Sequence, residues 1–298
     1  MQSAWTYQDL RREFYVYIAL TGTEDDLHKL ETLTLQNAVC IDLKNSFTSN
    51  LKLSLEAVST PFYVGLLASG LSQSKLIENF AKQGAAGCLQ SYETAKTLLD
   101  NKSYLTGIQS IIPTFQAMHE YGLANNQFQA LYKLVAMRFY GALEDLSKQA
   151  LKIIITKNIC NLDILSAQGL KIAKSDCVKL KRRIIQQQQE HSLTIEHAYD
   201  EEISHLSYQV FQYTELFSAL MNFSIPDNII DLLTRLESSR HLFTHRNSIV
   251  DQKYINEVGN NLEIGDTLHA SPDDMYRWQN AIIDYSAALL ESLDTAYS

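Results

Sequence analysis

Paired cysteines, helix breakers, long apolar runs and surplus positive charge are what this chain has least of. Its four cysteines, Cys40, Cys88, Cys160 and Cys177, lie far apart without a C-x2-C pair. That spacing excludes a zinc ribbon or a disulfide framework and reads as buried thiols in a reducing compartment. Only 4 Pro and 11 Gly interrupt the 298 residues, so long Leu/Ala/Gln/Lys/Glu stretches are free to be helical. No apolar run reaches the length of a membrane span, and the opening MQSAWTYQDLRREF is not a signal peptide. A cytoplasmic protein with no membrane partner is expected. Lys and Arg number 25 against 34 Asp and Glu, a net charge of −9. Nucleic-acid binders normally carry a basic footprint, so that function would require a local cluster of cations. No G-x4-GK[ST], H-E-x-x-H or G-x-S-x-G is present, which removes three common kinds of catalytic site.

What is present is a 46% hydrophobic composition, enough for a substantial core and too much for a disordered chain. In the first third, short β-branched or aromatic runs alternate with polar helical ones. Strands are expected at Phe14–Leu20, Ala38–Leu43, Pro61–Leu67 and Ala86–Leu89. Helices are expected after Thr23-Glu-Asp-Asp26 and over Leu51–Val58, Ser72–Gln83 and Tyr92–Leu99. Such alternation implies a parallel α/β sheet. The run from Val39 to Asp100 faintly resembles the second half of a bacterial receiver domain. Asp42 stands at the end of an expected strand, where receivers carry their phosphorylated aspartate. The first βα unit is missing, and Gln90 or its neighbours stand where the family needs a lysine. The expectation is a small regulatory or dimerisation domain over 1–110.

From 125 the pattern is helical to the end. Leu131, Leu134, Val135, Phe139, Ala142, Leu143, Leu146 and Leu151 recur at three and four in one long helix, Gln127–Asn158, with Glu144 and Asp145 inside it. Lys171, Lys174, Lys179, Lys181, Arg182 and Arg183 then crowd together against one acid, Asp176. This is the strongest phosphate-contacting candidate in the chain; the alternative is an ordinary solvated helix face. Ser204–Met221, rich in Tyr and Phe at helical spacing, reads as core or dimer interface. Pro226-Asp-Asn starts the next helix, which runs into Arg240, and Ser271-Pro-Asp-Asp caps a last helix from Met275 to about Leu293.

The chemistry concentrates in Arg240-His241-Leu-Phe-Thr-His245. A guanidinium can hold a phosphate and stabilise charge building on it, and an imidazole can exchange protons near neutral pH. On an ideal helix, residues five apart diverge by about 140°. Convergence of Arg240 and His245 therefore predicts that the helix ends, bends or bulges between them, with Asn247 and Ser248 as the turn-formers. The alternative is that His245 is a capping histidine at a helix C-terminus, where positive charge is favoured anyway.

The R-x4-H spacing, the amphipathic helix before it and Ile249-Val250-Asp251-Gln252-Lys253-Tyr254 after it resemble the HEPN ribonuclease superfamily. One departure is Arg246-Asn247-Ser248, where many relatives read Asn-x-Gly directly after the histidine. The resemblance, over residues 125–298, implies an all-α bundle that dimerises and brings two R-x4-H motifs to one cleft. It implies cleavage of RNA, tRNA among the possible substrates, without metal or other cofactor, to a 2′,3′-cyclic phosphate and a 5′-OH. Many such proteins are toxins or act against phage, and some answer to an antitoxin or regulatory protein. Carried over, Arg240 would stabilise the phosphorane, His245 would act as base or acid, His241 would orient the phosphate or the ring, and Asn247 is the weaker match. Lys179, Lys181, Arg182 and Arg183 would hold the RNA backbone. The rival class is a non-catalytic HEPN-like dimer that binds a nucleotide or a protein. The expected fold is thus α+β: a small α/β domain, degenerate receiver-like, followed by an all-α HEPN-type bundle.

Overall fold

A computed structural model of the protein describes residues 27–52, 123–172, 175–203, 209–259 and 262–297. In chain order the elements are α1 (His28–Glu31), α2 (38–52), α3 (Leu123–Lys157), α4 (Asn161–Ala167), β1 (Lys171–Ile172), β2 (Ser175–Asp176), α5 (Cys177–His191), α6 (Ile195–Ile203), α7 (Val210–Leu220), α8 (Asp227–His245), α9 (Gln252–Val258) and α10 (Pro272–Tyr297). Strand among the described residues is confined to the β1–β2 antiparallel pair and an isolated bridge between Ile249 and Thr267. The strands expected at Phe14–Leu20, Pro61–Leu67 and Ala86–Leu89, the helices expected at Ser72–Gln83 and Tyr92–Leu99, and Lys174 lie outside the described residues.

The 35-residue α3 is the helix the others gather round. Tyr132, Val135, Ala136, Phe139, Tyr140, Leu143, Leu146, Ala150, Leu151, Ile154 and Ile155 are buried along it, a three-four repetition wide enough to take helices on more than one side. α10 runs parallel to α3. Gln129 near the start of α3 exchanges two hydrogen bonds with the Ala270 backbone, at 2.8 and 2.9 Å, just before α10 begins. At the other end, the Tyr297 hydroxyl reaches the Ile154 carbonyl. α8 runs antiparallel to α3: Phe243 and Thr244 meet Lys133 and Met137, while Arg240 meets Tyr140.

Local signals explain most of the boundaries. Pro226 precedes α8 with the fixed backbone angle of a helix start. Ser271 and Asp274 cap α10 reciprocally, the Ser271 hydroxyl donating to the Asp274 carboxylate at 2.6 Å and accepting from the Asp274 N–H at 3.1 Å. Asp176 caps α5 and Asp251 caps α9, each accepting from the backbone N–H three residues on.

The strand expected at Ala38–Leu43 is instead the start of helix α2. Its cause lies at the far end of the chain. The Asp294 carboxylate accepts from the N–H groups of Gln36 and Asn37, at 2.9 and 2.7 Å, and Asn37 Oδ1 accepts from the Val39 N–H. These bonds satisfy the N–H groups of Gln36 and Asn37 just ahead of the helix and that of Val39 in its first turn. Cys40, Phe47 and Leu51 then lie buried in the same core as α3 and α10. Residues 27–52, inside the span expected as an α/β unit, thus pack with the helical bundle.

Candidate active site

The motif lies on the last two turns of α8 and the reversal after them. Leu233, Leu236 and Leu242 are buried along this helix, with Ser238 and Ser239 also buried beside them. Beyond His245 the chain reverses through Asn247 and Ser248, whose φ angles of 49° and 67° are left-handed. Asn tolerates that region; for Ser it costs about 1–2 kcal/mol, offset here by burial and bonding. The Ser248 N–H donates to the Leu242 carbonyl at 3.0 Å, and the Ser248 carbonyl accepts from the Leu268 N–H at 2.7 Å. Val250 and Tyr254 then pack with Leu242 and Leu268 in a small second core. The Tyr254 hydroxyl bonds Ser239. The IVDQKY segment is therefore the clasp that closes onto the end of α8. Asn247 is exposed and contributes to the reversal.

The expected break between Arg240 and His245 does not occur: α8 is continuous from Asp227 through His245. An intact helix separates the two side chains, as its 100° step requires. The side chains it brings together are His241 and His245, one turn apart, with ring centroids 5.2 Å apart. Arg240 turns the other way, toward α3, with its guanidinium 4.8 Å from the centroid of the buried Tyr140 ring. That guanidinium forms no ion pair among the described residues; the ring face holds the charge without neutralising it.

Sequence reasoning missed the groups behind Arg240. The Tyr140 hydroxyl donates to the Glu237 carboxylate, which also accepts from the Val210 N–H at 3.1 Å, at the start of α7. Burial, reinforced by nearby Glu257, pushes Glu237 up to about 7. The available signal was a carboxylate one turn beyond the buried Leu233 and beside Leu236. On the outer side, Arg246 pairs with Asp251 at 3.6 Å and Lys253 with Glu257 at 3.7 Å, while the Ser238 hydroxyl donates to Glu257 at 2.7 Å. The His241 imidazole is held below its ordinary value by partial burial, and then by the positive charge of Lys253, His245 and Arg246, against the opposing pull of Asp251. A neutral imidazole within a cationic frame can accept a proton, and the frame favours an anion beside it.

The other candidates are placed less favourably. Lys179, Lys181, Arg182 and Arg183 all lie on α5, whose principal neighbours are α4 and α6, whereas those of α8 are α3, α9 and α10. Lys181 pairs with Asp163 on α4, and Arg183 with Glu202 on α6 at 3.2 Å. Lys179 and Arg182 are exposed. Glu144 pairs with Lys148 at 3.0 Å. Asp42 stands on helix α2, not at a strand end, and lines a groove of about 840 Å³ between α2, α3 and α6, together with Asp145, Lys152 and Glu196. Of the cysteines, Cys40 and Cys177 are buried as expected, Cys160 is exposed, and Cys88 lies outside the described residues. Among the described residues no group of three or more His, Cys, Asp and Glu side chains is placed to hold a metal ion. Likewise no described helix is long and apolar enough to cross a membrane. Compared with known proteins, the chain matched no family model, no curated protein and no solved structure.

Proposed function

We propose that the chain is an endoribonuclease of the HEPN type, acting through the end of α8. The observation that carries this reading is the juxtaposition of His241 and His245 on the turns of α8 that also bear Arg240, a cation with no carboxylate on it among the described residues. Cleavage in this reading is an internal transesterification. One imidazole takes the proton of the ribose 2′-OH as the oxygen attacks phosphorus. The P–O5′ bond breaks, and a protonated imidazole returns a proton to the departing 5′-oxygen. The products are a 2′,3′-cyclic phosphate and a 5′-OH. Arg240 bears the charge that builds on the phosphorane. His245 fills the base or acid role, and His241, its ring centroid 5.2 Å away, orients the phosphate or shares the proton traffic. A two-fold dimer would bring two R-x4-H motifs to one cleft, the assembly that the HEPN resemblance implies. Action as a toxin or in defence against phage belongs to the same reading.

The test is incubation of total RNA or tRNA with the purified protein in EDTA, comparing wild type with His245→Ala. Cleavage by the wild type that is lost in the variant supports the reading, and cleavage retained by the variant removes His245 from it. A second reading, a non-catalytic dimer that binds a nucleotide or a protein, is favoured by one observation: α8 stays intact, so within one copy Arg240 faces Tyr140, away from His245. Absence of cleavage, with RNA or nucleotide binding that depends on Arg240, would support that reading instead.

A further inference from the structure

We propose that Tyr140 and Glu237 are positioning residues for the Arg240 guanidinium, Tyr140 as the platform it lies on and Glu237 as the anchor of that platform. The proposal rests on the ribonuclease reading only for its effect on cleavage; the geometry of the three side chains stands without it.

The chain of contacts runs across three helices. The Val210 N–H, the first of α7, donates to Glu237 on α8 at 3.1 Å. The same carboxyl accepts from the hydroxyl of Tyr140 on α3. Tyr140 is 2% exposed, so its hydroxyl has little water to turn to, and losing Glu237 would remove a partner that water cannot readily replace. With the ring so fixed, Arg240 lies over its face at 4.8 Å. Arg240 and Glu237 are one turn apart on α8, a spacing at which a direct ion pair is the ordinary outcome. It is not the outcome here, because the Glu237 oxygens are engaged by Val210 and Tyr140. Burial, which raises Glu237 to about 7, also leaves it only partly charged near neutral pH.

The consequence is chemical. A carboxylate on the guanidinium would occupy its N–H fork and cancel its charge. An aromatic face holds the cation by its quadrupole and leaves the edge donors available. The arrangement holds an arginine in place while keeping it open to an anion, which is what a phosphate clamp requires. Nothing in the sequence spacing connects residue 140 with 237 and 240; the antiparallel packing of α8 on α3 does.

Two readouts on the full-length protein test this. The first is the rate at which phenylglyoxal modifies Arg240, followed by mass spectrometry, with exposed Arg246 as the internal control. Tyr140→Leu removes the platform and should raise the Arg240 rate by about tenfold, the scale of a partly desolvated cation–π contact. Tyr140→Phe keeps the ring but loses the anchor, and Glu237→Gln keeps an acceptor; each should fall between Tyr140→Leu and wild type. Arg246 should not change in any of them. Should Tyr140→Leu fail to fold, the two conservative variants decide the matter alone. The second readout is steady-state RNA cleavage. Tyr140→Leu should lower kcat by about tenfold with KM within twofold, Tyr140→Phe should recover most of the loss, and adding Tyr140→Leu to Arg240→Ala should cost nothing further. An Arg240 modification rate that stays at the wild-type value in every variant overturns the proposal, and so does a loss of cleavage that adds to that of Arg240→Ala. If the wild type cleaves no RNA, the ribonuclease reading fails, and the modification rates still decide whether Tyr140 and Glu237 hold the guanidinium.

Discussion

Two regions of this acidic molecule carry clustered positive charge, and they use it differently. On α5, Lys179, Lys181, Arg182 and Arg183 fall within five residues, yet two of the four are engaged by acids on neighbouring helices, Lys181 by Asp163 and Arg183 by Glu202. At the end of α8 the cations are more scattered in sequence. There, Arg246 and Lys253 are also paired, with Asp251 and Glu257, but Arg240 rests on an aromatic ring, and the charge of Lys253, His245 and Arg246 helps hold His241 below its ordinary value. The density of Lys and Arg along a sequence therefore measures potential charge only. What a phosphate would meet depends on which cations the fold has already paired.

The sharpest way to break this comparison is to remove the α8 groups. His245→Ala should reduce RNA cleavage by about 10² to 10⁴, the range for loss of a general acid or base. Its melting temperature should stay near that of the wild type, because His245 is exposed. Arg240→Ala should lose a similar factor in rate, but its melting temperature should also fall slightly, since the change removes packing on Tyr140. The double variant should lose far less than the product of the two. If single-turnover assays in EDTA show cleavage unchanged in both single variants, the α8 site has no catalytic role.

Next in size is the clasp that holds the site. Leu242 is fully buried between Val250, Tyr254 and Leu268, and its carbonyl receives the N–H groups of Arg246 and Ser248. Leu242→Ala should destabilise the protein by about 2–5 kcal/mol in urea denaturation. An effect under about 1 kcal/mol would mean that this small core does not hold the reversal.

Much of this is legible in the amino-acid sequence, and what is legible is local. The long α3, the proline before α8 and the serine cap of α10 are each set by residues within a turn or two of one another. The R-x4-H stretch stands out for the same reason. The expectations that fail share the opposite cause. Ala38–Leu43 has a strand's composition, but Asp294 satisfies the N–H groups ahead of it and the core takes Cys40, Phe47 and Leu51 on helical spacing. The break expected after Arg240 presumes that one copy must bring Arg240 and His245 together. The fold instead gives Arg240 a partner on α3, a hundred residues away.

Glu237 supplies a pH test of that partnership. Its carboxyl is raised to about 7 from an ordinary 4.5. A raised acid favours the protonated fold, so its stabilising contribution is complete below about pH 4.5 and is lost as pH rises through about 7. The groups facing it are Tyr140, the Val210 N–H, Glu257 and Lys253. Relative to Glu237→Gln, which cannot ionise, the wild type should lose at most about 3 kcal/mol of stability across that window and change little above it. Urea midpoints at several pH values check the sign; a wild type that gains on Glu237→Gln as pH rises would show that the carboxylate is stabilised in place, not strained.

The smallest expected effect tests the other half of the comparison. If RNA reaches α5, the cations able to release counterions are Lys179 and Arg182, which are exposed and form no ion pair among the described residues. Replacing both with Ala should reduce the slope of log affinity against log salt by about two units for single-stranded or duplex RNA alike, one for each lost phosphate contact. Replacing Lys181 and Arg183 should change it less, because Asp163 and Glu202 already compensate them in the free protein. Breaking those pairs by Asp163→Asn or Glu202→Gln should work in the reverse direction and steepen the slope, by liberating a cation without adding one. Equal slopes in all four variants would mean that α5 is a solvated face and that the α8 end meets the phosphates alone. Equal losses from both pairs of cations would mean that the ion pairs open on binding, and that pairing in the free protein does not determine which charges RNA meets.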